Sequence, residues 1–206
     1  MTHPIVPYRE IKTMYRETGF TKAGHVCPPH ECGFVTECWH AHEWDGGPHS
    51  GHGYNHGMKE FLADSSELLA LTQEIFTALD AQSCILTPAY LRQWFAHWRD
   101  MRRFSLYHQA DAFLRAHRVP RTSDAPEGIF LRFPEDREAA ALFLRCGFTY
   151  LGQAVLFFPQ KRWIVSGTHH MGVCFYTPGK DAALESCALR LAENYPNCRA
   201  GTFHNT

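Results

Sequence analysis

Between Cys27 and His56 the chain places three of its eight cysteines and six of its fourteen histidines, with Glu31, Glu37, Glu43 and Asp45 among them. Thiolate and imidazole at this density suit Zn²⁺ better than the other common ions, so the stretch points to a bound zinc. Cys27, Cys32 and Cys38 follow a C-x4-C-x5-C spacing, and Cys38 opens a Cys-x-His-x-His run through His40 and His42. A strand over residues 34–42 puts Cys38, His40 and His42 on one face, because strand side chains alternate with a period of two. Pro28, Pro29 and Gly33 turn the chain around the first two cysteines, so a fourth ligand can come from Cys27, His30 or Cys32. The spacing is neither that of a zinc ribbon nor that of a two-cysteine, two-histidine finger. Cysteines that simply fill apolar space are the plainer alternative.

Residues 46–57 differ in kind. Five glycines and His49, His52 and His56 leave little to bury except Tyr54, so the segment reads as a loop. Its histidines suit either of two uses. They can complete an open, catalytic metal site with Glu43 or Asp45 as general base, or they can form a surface that titrates near neutrality.

A second candidate is electrostatic. Seven arginines lie between Arg92 and Arg121 against two acids, Asp100 and Asp111, although the whole chain has a formal charge of −1. Arginine pairs bidentately with phosphate, so Arg92, Arg99, Arg102 and Arg103 are candidates for contact with nucleic acid or with an acidic protein. A solvated helix face is the bland reading, and the near-zero overall charge gives no long-range pull on a polyanion. P-loop, dinucleotide-loop, GxSxG, HExxH and EF-hand motifs are all missing, which removes the reactions they mark.

These residues need elements to hold them. At 206 residues, with 45% hydrophobic and 20% charged side chains, the chain can bury one good core and is not a disordered segment. No stretch resembles a secretory signal or a membrane span, and eight cysteines without one imply a reducing, cytoplasmic setting. Apolar spacing predicts helices over 8–18, 59–81, 105–117, 135–146 and 181–195. Asp64, Ser65 and Ser66 read as a cap near the start of the second. Thr87-Pro88 reads as the opening of a further helix that runs to Arg102. Strands are expected over 20–27, 128–133, 148–158 and 163–177, with a final strand at 199–204 short or missing. His169 and His170 then sit on the 163–177 strand and point to opposite faces.

The fold class that follows is α+β. It has an N-terminal Cys/His-rich metal-binding region (1–60), a central helical segment (61–120) and a C-terminal ferredoxin-like βαββα unit (127–206) whose helices lie on one sheet face, all packed as one compact domain. Residues 14–24 and 142–152 share a helix end, Gly-Phe-Thr and a second glycine, and chance similarity of helix ends is the favoured explanation. The expected function is that of a zinc-stabilised cytoplasmic binding or regulatory protein. Its ligands are Cys27, Cys32, Cys38, His40 and His42, with His30, His49, His52 and His56 in reserve. The rivals are a metal-dependent hydrolase and a structural subunit of an assembly. Cys84, Cys146, Cys174, Cys187 and Cys198 read as core fillers or surface thiols.

Overall fold

The computed structural model describes residues 3–20, 33–38, 58–89, 94–95, 98–102, 104–119, 127–149, 154–168 and 171–202. In chain order these form β1 (Ile5–Val6), α1 (Tyr8–Glu17), β2 (Gly33–Cys38), α2 (Met58–Ala78), β3 (Ser83–Pro88), α3 (Trp98–Met101) and α4 (Ser105–Ala116). They continue with β4 (Gly128–Arg132), α5 (Arg137–Gly147), β5 (Ala154–Phe158), β6 (Trp163–Thr168), β7 (Gly172–Tyr176), α6 (Ala182–Ala192) and β8 (Cys198–Thr202). The protein is α+β, and the strands form a single antiparallel sheet in the order β1-β4-β3-β5-β6-β7-β2-β8.

Alternation along the central strands builds two cores. Cys84 and Leu86 of β3, Leu156 and Phe158 of β5, and Trp163 and Val165 of β6 face a layer made by α2, α4, α5 and α6. Ile85, Val155, Phe157 and Ile164 face the other way, onto Ile11 and Tyr15 of α1 and onto Phe20. Tyr15 stacks on Phe157 with centroids 4.4 Å apart. A fully buried ring of this kind contributes about 1.5–3 kcal/mol. The two helices of the C-terminal unit, α5 and α6, lie on the same sheet face, as expected, and α1 lies alone among the described helices on the other.

Helix ends are set by local chemistry. After α1 the Phe20 amide bonds to the Tyr15 carbonyl and the Gly19 amide to that of Arg16, the paired bonds of a Schellman cap, with Gly19 at φ 94°. Phe20 packs its ring edge against Tyr15 to complete the motif, and Arg162 donates to the Thr18 carbonyl at 2.9 Å. Asp181 caps α6 by accepting from the Leu184 amide at 3.0 Å, and its second oxygen takes the Trp163 indole N–H at 2.8 Å.

Four expectations change. The helix expected from Thr87-Pro88 does not form there, because Ser83–Pro88 is β3. A strand buried on both faces has no alternation to betray it, and Pro88 sits at its last position, where a missing N–H does least harm. Asp64, Ser65 and Ser66 lie inside α2 and not at its start. The two serine hydroxyls bond back to the Leu62 carbonyl. The expected 163–177 strand is a hairpin of β6 and β7, with Met171 at φ 54° and its amide bonded to the Thr168 carbonyl at 3.1 Å. Of the 148–158 strand, Phe148 is instead the C-cap of α5 and Ala154–Phe158 is β5, with 150–153 outside the described residues, while the final strand is present as β8.

Candidate functional site

Of the Cys/His-rich stretch, β2 alone lies within the described residues. Cys27, His30, Cys32, His40, His42, Glu43, Asp45, His49, His52 and His56 lie outside them, as do residues 21–27 of the expected 20–27 strand and the residues 169 and 170. β2 is held between β7 and β8. Thr36 stands opposite Val173 on one side and Ala200 on the other; it is fully buried, and its hydroxyl has no hydrogen-bond partner among the described residues.

Cys38 ends the strand directly opposite Cys198, the first residue of β8. Cys198 is buried where the turn after α6 enters the sheet. Just before it, Asn197 gives its backbone and side-chain N–H groups to the Glu67 carboxylate at 3.0 and 2.9 Å. Tyr195 lies close by, with its phenol pushed up to about 12 by desolvation, by a hydrogen bond to Glu74 and by the negative charge of Glu74, Cys198 and Glu67. Glu67 of α2 and the Cys198 thiol thus lie at the end of the sheet where β2 finishes at Cys38, and Glu74 stands one phenol ring away on Tyr195. That electrostatic setting favours a cation over an anion. Among the described residues no group of three or more His, Cys, Asp or Glu side chains is arranged to hold a metal ion. The sequence held the residues of this corner but gave no sign of their meeting, since Glu67 and Glu74 lie far from Tyr195, Asn197 and Cys198 along the chain and none of them belongs to a motif.

The remaining cysteines are placed plainly. Cys84, Cys146, Cys174, Cys187 and Cys198 are all buried. Burial pushes the Cys146 thiol up and does the same to Cys84, which also feels the charge of Asp136. Both stay neutral and poorly nucleophilic at physiological pH.

The arginine cluster is divided. Arg99 on α3, Arg102 after it and Arg118 after α4 are exposed, whereas Arg115 pairs with the buried Asp111 one turn back on α4. Arg92 and Arg103 lie outside the described residues. Trp94 and Phe95 are buried and Trp98 half-buried, so the aromatics of this region pack inward and offer no stacking platform among the described residues. No helix among the described residues is long and apolar enough to cross a membrane.

No protein-family model, no curated protein and no solved structure matches this chain.

Proposed function

We propose that the chain is a zinc-stabilised cytoplasmic protein that works by binding, with Cys27, Cys32, Cys38, His40 and His42 as the ligand set. Regulation or assembly is its role, through contacts of Arg92, Arg99, Arg102 and Arg103 with nucleic acid or an acidic protein. The observation that carries this reading is the anchoring of Cys38. The backbone of one cysteine of the dense Cys/His run is fixed in the sheet opposite Cys198, whose preceding residue Asn197 is bonded to Glu67. A structural zinc bound in such a polar region supplies folding free energy of about 10 kcal/mol or more. The ferredoxin-like reading of residues 127–206 rests only on strands alternating with two helices of one face, since β6 and β7 add a strand to the expected order, β3 stands between β4 and β5, and β2 stands between β7 and β8.

Replacing His49, His52 and His56 together tests the structural role. The protein should stay folded and zinc-loaded, whereas loss of the metal would favour the hydrolase with Glu43 or Asp45 as base. For the arginines, retention on immobilised nucleic acid should fall with salt and vanish when Arg99, Arg102 and Arg103 are changed to glutamine. Retention indifferent to salt contradicts that contact.

A further inference from the structure

Three side chains brought together from distant parts of the chain form a continuous polar line on the far side of the sheet order from β2. The His117 Nδ1 lies 2.7 Å from the Phe113 carbonyl. Its Nε2 lies 2.6 Å from His3 Nδ1, and His3 Nε2 lies 2.6 Å from Asp136 Oδ1. The second oxygen of Asp136 accepts from the Arg132 amide at 2.7 Å.

Counting protons along this line gives its chemistry. A carbonyl only accepts, so His117 Nδ1 must carry hydrogen. The two ring nitrogens at 2.6 Å need one proton between them, or two lone pairs would face each other. The contact to Asp136 needs another. Three protons on two imidazoles is one more than two neutral rings hold, and the total is the same if that proton sits on the carboxylate. The line therefore binds one proton that two neutral histidines and an aspartate do not.

We propose that His3, His117 and Asp136 form a proton-dependent latch that fastens the N-terminal strand to the sheet. His3 immediately precedes the short edge strand β1, which holds on through Ile5 and Val6 opposite Ile129 and Gly128 and through the Phe130 amide bonded to the Pro4 carbonyl at 2.9 Å. So small a strand adds little pairing of its own. The latch ties it to the end of α4 and to the N-cap of α5. The rings are also packed, with Phe113 4.2 Å from His117 and 5.9 Å from His3, centroid to centroid.

Other charged or titratable groups on the surrounding elements are Arg132, Glu135 and Arg137 about Asp136, Arg118 next to His117, Glu127 before β4, and the Asp111–Arg115 pair on α4. The buried Cys84 thiol on β3 stays neutral. Neither imidazole has a further hydrogen-bond partner among the described residues.

The sign of the linkage follows. The docked line holds three ring protons, whereas two released rings hold four when both are charged and two when both are neutral, so docking is favoured between those limits and loosens on either side of the ordinary histidine range. Release of β1 uncovers the β4 edge. The test is hydrogen exchange of the Phe130 amide between about pH 5 and pH 8, corrected for intrinsic exchange. Its protection should peak near the ordinary histidine range and fall on either side by up to about tenfold per pH unit, one proton's worth, while amides in β5 and β6 hold theirs. His3→Gln and, separately, His117→Gln should flatten that slope, and His108→Gln on the exposed side of α4 should preserve it. Nitrogen-15 spectra of the unmodified protein provide a readout that needs no variant, with three protons shared over the two rings at neutral pH. A flat profile in the unmodified protein, a slope that survives both substitutions, or only two such protons would overturn the latch.

Discussion

Gly167 shows how closely single positions are constrained. A β-carbon there would lie 2.2 Å from the Leu144 carbonyl oxygen and 3.0 Å from the Phe148 ring, because the end of α5 rests directly on β6. Gly167→Ala should cost about 1–3 kcal/mol in denaturant unfolding, since backbone and not a yielding side chain must move. The buried thiols give a second expectation at this scale. Cys84 and Cys146 should resist alkylation in the native protein and react once it is unfolded; rapid native labelling of either would contradict their burial. That the five later cysteines fill space was readable from their apolar neighbours. The His3 line was not, because its members are 114 and 133 residues apart and each alone is an ordinary polar residue.

Among the elements, α6 illustrates how a cap can serve two structures. Asp181 satisfies the start of the helix and also the indole of Trp163, whose side chain is buried in the main core. Asp181→Ala should remove the cap, worth about 1 kcal/mol, and strand a buried donor, worth about 1–3 kcal/mol more. Trp163→Phe in the Asp181→Ala background should recover part of the loss, because no orphaned N–H remains. The long amphipathic helices were legible in the sequence because a 3.6-residue period survives any tertiary context. β3 was not, since burial on both faces erases the period of two and its terminal Thr87-Pro88 imitates a helix start. The Gly-Phe-Thr echo also dissolves at this scale. Gly19 is a left-handed cap, whereas Gly147 is helical and lets α5 approach Gly167, and the two helices cover opposite faces of the sheet.

For the molecule as a whole, strands from before residue 90 are threaded between strands from after residue 127. This follows from pairing preferences across long loops that no local pattern encodes, which is why the sheet order could not be read from the sequence. The threading makes the Cys/His stretch matter beyond its own length, because β2 joins β8 to the rest of the sheet. If zinc orders residues 20–57, a chelator should strip amide protection from β2 and β8 while β3, β4 and β5 retain theirs, as hydrogen exchange can resolve. The α+β layout stands apart from the metal; the proposed function does not. Elemental analysis of protein purified without added metal or chelator bears on it most directly. The account predicts zinc in near one-to-one ratio with the chain, and a folded, monodisperse protein carrying no bound metal would contradict it.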